Sequence, residues 1–380
     1  MHILFLATWY PHRYDTMDGL FIRKHAQAVA RQAGCTVDVL YICDKADEGI
    51  EEYDDVEVAG VRELTLYCGP FRGLTDDIKK MRLLWREWRK RRGIMPDIVH
   101  LNVISKWGWL ARYLKFRYSI PYVITEHWPG YLPGHGGFSG MGRVLSGRWI
   151  VSGAAAVLPV SARLMSGMKG CGLHCKNWII VSNVVDDFFF ENNVIGHDKF
   201  RFIHVSCFLD LPKNVMGIVD AVALLAERRS DFEMLMVGTG HDWQRCYDHA
   251  QSLGLIDRGL IRFSGLATPL QVKEQMDESD CFVLFSNYEL APVVISEALT
   301  CGLPIISTPV GNAEVEVDDH KGMFVPCRDV QALADAMSHM IDHAADYDRN
   351  YIRSASHQYS FDNVGAQIVD IYRKILDDKL

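Results

Sequence analysis

The stretch Val283 to Asn312, reading VLFSNYELAPVVISEALTCGLPIISTPVGN, constrains the fold more than any other part of the chain. An apolar run, Phe282 to Phe285, breaks into the polar Ser286-Asn287-Tyr288-Glu289, which reads as a buried strand opening into a loop. Pro292 is expected at the first helical position, where its missing N–H leaves no intrahelical bond unmade. Val293, Val294, Ile295, Ala298 and Leu299 then mark a helix. It should stop at Gly302, which can take the left-handed conformation that ends helices, with Pro304 as a second stop. Leu303 to Ser307 reads as another apolar strand. Strand, loop, helix and strand in this order make the parallel crossover of an α/β sheet.

A pair of acids gives this unit its chemistry. Glu289 lies at the carboxyl end of the first strand, where open α/β sheets place their ligands. Glu297 follows Pro292 by five residues, roughly 7 to 8 Å along the helix axis at about 1.5 Å per residue. It interrupts an apolar helix, and Glu is rarely buried without a partner. The free N–H groups of the helix start favour anions such as phosphate. Two carboxylates flanking an anion-binding helix start suit a ligand with hydroxyls and phosphates, such as a nucleotide sugar. The spacing alone fits two solvated acids equally well, because short motifs match by chance.

Glu289-x7-Glu297, with the Pro292-Val293-Val294 loop, Ala298, Gly302-Leu303-Pro304 and Val310-Gly311, resembles the signature of the family 4 retaining glycosyltransferases with the GT-B fold. The resemblance extends weakly over nearly the whole chain. It implies an α/β architecture of two Rossmann-like domains, their parallel sheets facing across a cleft, with a C-terminal helix crossing back to the first domain. Residues 1–190, with the helix at 361–380, would bind the acceptor, and residues 200–360 the nucleotide sugar.

On the donor side, the resemblance implies that Glu289 contacts the sugar hydroxyls and Glu297 the ribose hydroxyls. Lys213, in Pro212-Lys213-Asn214, matches a lysine that neutralises the donor diphosphate. The arginine that usually accompanies it is replaced by a small polar residue, Ser206 or Cys207, and no arginine stands nearby in the sequence. Gly19 matches part of a Gly-rich loop that approaches the diphosphate, although many members have two adjacent glycines there. Gly238 falls at the family's Gly-x-Gly, and Gly265-Leu266 where members hold the base through backbone contacts. Ala291, Pro292, Val293 and Val294 complete the donor loop. On the acceptor side, His127 matches a histidine at a strand end. It would contact the transferred sugar or its acceptor, with Glu126 orienting it and Trp128 beside it.

At 380 residues the chain has room for two or three domains. A first sheet is expected from His2 to Ala7, Val37 to Ile42, Asp97 to Leu101, Tyr122 to Thr125, Ala154 to Val160 and Trp178 to Val181. An acidic loop spans Asp44 to Asp55, and Val56 to Leu66 holds one or two short edge strands. The Gly-rich residues 129–142 suit a mobile loop over the acceptor. The polar segment Phe190 to Lys199 reads as the interdomain linker, after which Phe202 to Val205 opens the second sheet. The amphipathic stretches Val330 to Ile341 and Val364 to Leu376 close the chain as helices.

The net charge of -8 argues against a general nucleic-acid binder. MHILFLATWYP reads as a first strand rather than a signal peptide. The ten cysteines lack paired spacing and read as reduced thiols of a cytoplasmic protein. From Lys79 to Arg92, eight of fourteen residues are basic, interleaved with Leu84, Trp85 and Trp88. Such a helix suits peripheral contact with an anionic membrane, here the inner face of the plasma membrane. It equally describes a solvated helix covering the sheet.

Asp346-Tyr347-Asp348 is the only Asp-x-Asp triplet, and it lies in a helical region far from any strand end. No metal and no cofactor beyond the nucleotide-sugar co-substrate are therefore expected. The resemblance implies retention of configuration, and with no obvious nucleophile, front-face attack by the acceptor. Three readings follow. The first is a hexosyltransferase acting on a glycan or lipid-linked acceptor in cell-surface polysaccharide biosynthesis. The others are a nucleotide-sugar 2-epimerase and a noncatalytic sugar-nucleotide binder. The Gly-rich loop and the basic helix favour the first.

Overall fold

A computed structural model describes residues 1–132, 136–193 and 195–380, and the chain divides into two compact units. The first comprises Met1–Val184 with Phe361–Leu380, and the second Val185–Ser360.

The first unit runs β1 (His2–Ala7), α1 (Leu20–Ala30), β2 (Thr36–Cys43), β3 (Glu51–Val58), β4 (Val61–Cys68), α2 (Leu74–Arg92), β5 (Ile98–Asn102), α3 (Trp107–Tyr118), β6 (Tyr122–Glu126), α4 (Met141–Gly153), β7 (Ala156–Pro159) and α5 (Ala162–Gly170). Its sheet has the order β3-β4-β2-β1-β5-β6-β7 and is parallel except for the β3–β4 pair. Every residue of β1 is buried, so the continuous run HILFLA marks a strand covered on both faces. Ile3, Phe5 and Ala7 pack with Ile22, Ala26 and Val29 of α1. On the opposite face, Trp88 of α2 meets His2, with ring centroids 5.7 Å apart.

Three expectations are corrected here. The acidic loop ends early, because Glu51, Glu52, Asp54 and Asp55 belong to the edge strand β3. Acids are poor strand formers, but an edge leaves them solvated and within reach of cations. Arg13 bonds Glu52 at 2.8 Å and Arg91 bonds Asp55 at 3.1 Å. The partner of β3, β4, lies inside the sheet rather than at its edge. Residues 178–181 run beside β7, with Ile179 N–H to the Val157 carbonyl at 3.0 Å, but they form a single bridge at Trp178 rather than a strand.

Helix α2 covers the sheet with its apolar side. Trp88 is fully buried and Trp85 stacks on it at 5.1 Å. Arg92 reaches Asp38 at 2.6 Å and Asp55 at 3.1 Å. Lys79, Arg82, Arg86 and Lys90 stay exposed, and their spacing of three and four places them on one stripe. Of the Gly-rich loop, residues 133–135 lie outside the described residues. Gly130 and Tyr131 are buried in a short 3-10 turn, and Met141 already begins α4.

The second unit runs β8 (Phe200–Val205), α6 (Asp210–Lys213), α7 (Val215–Ala226), β9 (Phe232–Val237), α8 (Trp243–Ser252), β10 (Ile261–Gly265), α9 (Pro269–Asp277), β11 (Cys281–Leu284), α10 (Val293–Thr300), β12 (Ile305–Ser307), α11 (Ala313–Glu316), β13 (Gly322–Phe324), α12 (Val330–His343) and α13 (Arg349–Ala355). The sheet, β10-β9-β8-β11-β12-β13, is entirely parallel. Alternation along the strands builds two cores: Phe202, Met234 and Met236 face α7 and α12, whereas Ile203, Leu235 and Val237 share the opposite core with α10. Val185 and Phe189 are buried in that second core, so this unit begins before the polar segment expected to link the domains, in which residue 194 lies outside the described residues.

The final helix, α14 (Phe361–Leu376), belongs to the first unit and packs along α1. Its close approach depends on Gly365, where a Cβ atom would lie 2.1 Å from the Ala28 carbonyl oxygen. Gly365→Ala must therefore push the helices apart. It should destabilise the chain by about 1–3 kcal/mol, the usual range for overpacking, measured by denaturant unfolding. An unchanged midpoint would mean that this contact does not set the docking of α14.

Candidate active site

In the second unit, the expected donor residues gather at the carboxyl ends of β8, β9, β10 and β11. Gly238 takes φ +123°, and a Cβ there would lie 1.9 Å from the Ser206 carbonyl oxygen. Its N–H donates to the Gly265 carbonyl at 2.8 Å, so the three strand ends are locked together. Leu266 projects from the same edge, 81% exposed. Ser206 is less available than the sequence suggested. His204 is fully buried, and burial together with the Lys213 charge lowers its pKa to about 4. The Val283 carbonyl can only accept, at 2.8 Å, so Nδ1 of the neutral ring carries the hydrogen. Nε2 then accepts from the Ser206 hydroxyl at 2.7 Å. That hydroxyl has no proton left for a phosphate.

Lys213 and Glu289, 76 residues apart, form an ion pair. Asn287 brings them together: its N–H donates to the Pro212 carbonyl at 2.7 Å and its side-chain amide to the Leu211 carbonyl at 2.8 Å. The Ser286 hydroxyl adds a second donor to the same Glu289 oxygen at 2.9 Å.

Behind this loop, α10 starts at Val293. Pro292 is the extended capping residue, φ -65° and ψ 107°, one position earlier than expected. No side chain caps the helix start. Gly302 takes φ +75° as expected, and paired bonds from Gly302 to Leu299 and from Leu303 to Ala298 close the helix. Glu297 is half-buried between the buried Ser296 and Ala298. Gly311 holds the loop from the other side, where a Cβ would meet the Leu290 carbonyl oxygen at 2.9 Å.

In the first unit, a second group forms at the ends of β1, β5 and β6. Gly19, at φ +60°, caps α1 so close to the Trp9–Tyr10 peptide that a Cβ would lie 2.4 Å from the Trp9 carbonyl carbon. Two residues on, Phe21 packs on His127 with ring centroids 4.2 Å apart. Burial, with His25 and His100 close by, lowers the His127 pKa far below the ordinary histidine value, so the ring is neutral. Its buried Nε2 has no hydrogen-bond partner among the described residues.

Glu126 is fully buried and accepts from the N–H groups of Ile104, His127 and Trp128, each at 2.9 Å, and from the Tyr131 hydroxyl at 3.2 Å. Burial raises its pKa against the pull of those four donors. It fixes the backbone of His127 and Trp128 rather than the imidazole ring. Trp128 meets Tyr131 edge to face at 5.2 Å.

Two family models match the chain: Glycosyltransferase Family 4 over residues 20–187 and Glycosyl transferases group 1 over residues 185–358. Together they cover both units. The chain belongs to the family 4 glycosyltransferases.

Its relatives include a D-inositol 3-phosphate glycosyltransferase from Corynebacterium urealyticum, 23% identical over 94% of this chain and 90% of that protein. The Vi polysaccharide biosynthesis protein of Salmonella typhi is 30% identical over 36% of this chain and 22% of its own length. Sucrose-phosphate synthase from Thermosynechococcus elongatus shares the GT-B fold, with a TM-score of 0.76 at 18% identity over all of both chains. Anabaena HepE in complex with UDP-glucose matches with a TM-score of 0.67 at 16% identity, over 98% of this chain and all of that one.

Two residues of this glycosyltransferase escaped the sequence reading. Arg328, at φ +63°, places Nε 3.0 Å from the Asn287 side-chain oxygen. An arginine thus reaches the donor loop from 122 residues beyond Ser206, a separation no local pattern could reveal. Glu316 accepts from Asn312 at 2.6 Å and from Ser296, the neighbour of Glu297, at 3.0 Å. Burial raises its pKa to about 7 despite these donors and Tyr359.

The folded state therefore holds the Glu316 proton more tightly than the unfolded chain, where a glutamate titrates near about 4.3. Its contribution to stability is full below that value and is lost as pH rises through about 7. Glu316→Gln should flatten the decline of unfolding free energy between those two values. An identical slope in both proteins, followed by denaturant titration at several pH values, would contradict the assignment.

Proposed function

We propose that this glycosyltransferase moves a hexose from a nucleotide-diphosphate sugar to a glycan or lipid-linked acceptor in cell-surface polysaccharide biosynthesis. Anomeric configuration is retained and no metal ion is used. The Lys213–Glu289 pair carries the reading. Each member satisfies the other until a donor enters. A diphosphate then takes the Lys213 ammonium, and the sugar hydroxyls take the Glu289 carboxylate. The N–H groups at the start of α10, beside Ala291, Pro292, Val293 and Val294, offer the phosphates further donors.

Glu297 holds the ribose hydroxyls, and the strand ends at Gly238, Gly265 and Leu266 hold the base. Ser206 contributes through its backbone, since its hydroxyl is committed to His204. In the first unit, Gly19 allows close approach to the diphosphate. The open Nε2 of neutral His127 suits a hydrogen bond to the transferred sugar or its acceptor, beside Trp128 and on the backbone that Glu126 anchors.

HepE, a protein of the same fold, was crystallised with UDP-glucose, and the Vi polysaccharide relative acts in polysaccharide assembly by name; both support the reading. The enzyme works from the cytoplasm on the inner face of the plasma membrane, drawn there in part by the α2 stripe of Lys79, Arg82, Arg86 and Lys90. Among the described residues no helix is long and apolar enough to cross a membrane.

A thermal-shift screen against UDP-, GDP-, ADP- and dTDP-sugars should give stabilisation by one donor class. Glu297→Ala should weaken that donor's binding roughly 10- to 150-fold, as loss of a charged hydrogen bond of about 1.5–3 kcal/mol requires. Glu289→Gln should lower kcat by roughly 10²–10³-fold, comparable to losing one preorganised transition-state contact, without raising the donor's Kd because Lys213 is released. Unchanged turnover would remove Glu289 from the site. Donor conversion without transfer to any acceptor would favour the epimerase, and no shift with any donor would overturn the assigned site.

A further inference from the structure

An apolar cavity of about 750 Å³ lies inside the first unit. It starts at the strand ends that carry the His127 group, where Thr8, Trp9 and Trp128 line it. From there it passes between α2, α3 and α4, past Met81, Trp107 and Ile150. Its outer lining includes Trp109 and Ser146, joined by a 2.8 Å hydrogen bond. Lys106 and Asp77, also in the lining, form an ion pair.

Around Trp109 the surface is apolar in a way a soluble face rarely is. Helix α3 exposes Trp109, Tyr113 and Phe116 at helical spacing, and α4 exposes Met141, Leu145 and Trp149. Trp109 and Trp149 meet edge to face at 6.4 Å, so the two stripes form one surface, with the Arg112 guanidinium 4.9 Å from the Trp149 ring. Residues 98–185 contain nine lysines and arginines and a single acid, the buried Glu126, in a chain of net charge -8. Aromatic side chains interleaved with arginine suit the headgroup region of an anionic bilayer. A twofold contact with a second copy would instead press these cations against their own kind.

We propose that this cavity binds the apolar chain of a lipid-linked acceptor, which enters it from an anionic bilayer lying against the exposed α3–α4 face. The saccharide end of such an acceptor sits at the strand ends beside His127, and Lys106 is placed to take a phosphate linking sugar to lipid. This deepens the acceptor side of the proposed transfer and rests on that reading.

Gly142 lines the cavity, and a Cβ there would meet no atom within 4 Å, so Gly142→Phe adds a ring at the cavity wall with no backbone clash at Cβ. Farnesyl phosphate titrated into the full chain should saturably change tryptophan fluorescence, because Trp9, Trp107, Trp109 and Trp128 line the cavity. Gly142→Phe should raise its Kd at least about tenfold, which is 1.4 kcal/mol. An unchanged Kd, no saturable signal, or equal binding of inorganic phosphate alone would overturn the proposal.

In sedimentation with vesicles, the chain should bind phosphatidylcholine–phosphatidylglycerol mixtures and not phosphatidylcholine alone. Phe116→Glu combined with Leu145→Glu should lower the bound fraction at least about tenfold, the loss expected when exposed anchors leave the interface. Undiminished binding would overturn the proposal, as would self-association abolished by the same pair in a chain that ignores vesicles. Donor-induced thermal shifts in both variants separate this failure from a failure of the transferase reading.

Discussion

The central strands of both sheets are buried on both faces, and most of what the enzyme can do follows from that constraint. Strands such as β1 and β11 are buried at every position, so a polar side chain within them must find a partner in the interior. His100 does so with Tyr372 and Thr125, and His204 with Val283 and Ser206. Chemistry that needs solvent and substrate is displaced to the carboxyl ends, where the chain leaves the sheet. Glycines serve the same geometry: Gly19 and Gly238 stand where a Cβ would strike backbone, which lets the loops close over the strand ends.

Charge placement follows the same logic. Lys213 and Glu289 have moderate exposure, 17% and 12% for their side chains, so neither is fully desolvated nor freely hydrated. A pair in that state exchanges partners at less expense than a fully buried one, because water can still reach each charge while its partner is replaced. The buried groups of the first unit behave differently. His127 is kept neutral by burial with His25 and His100 close by, and a neutral imidazole can donate or accept a hydrogen bond without bringing a charge into the interior.

The organising strand–loop–helix–strand unit was legible because each signal is local. The apolar run, Gly302 with its following proline, and the two acids all lie within thirty residues, and each reports a backbone requirement. Pro292 was misplaced by one position, since proline suits the capping residue and the first helical turn almost equally. The edge strand β3 hid behind five acids, because its stability comes from pairing with β4 and from Arg13 and Arg91 rather than from its own propensity. Trp85 and Trp88 belong to the packing rather than to the charged face: the 3.6-residue period turns Trp88 onto His2 with Trp85 stacked on it, and leaves Lys79, Arg82, Arg86 and Lys90 outside.

The parts of the site that sequence could not show are those assembled across long separations. Asn287 clamps the segment carrying Lys213 and also accepts from Arg328, so one amide links three parts of the chain spanning more than one hundred residues. A sequence comparison that looks for an arginine beside Ser206 finds none and counts the diphosphate as half neutralised. In the folded chain, the relevant quantity is the charge around Asn287. Arg328 reaches Asn287 from 122 residues beyond Ser206, and the Lys213–Glu289 pair lies on the two segments that Asn287 joins. The charge balance of the donor loop is therefore set by tertiary structure, and an arginine missing from the family's position does not by itself leave a diphosphate unpaired.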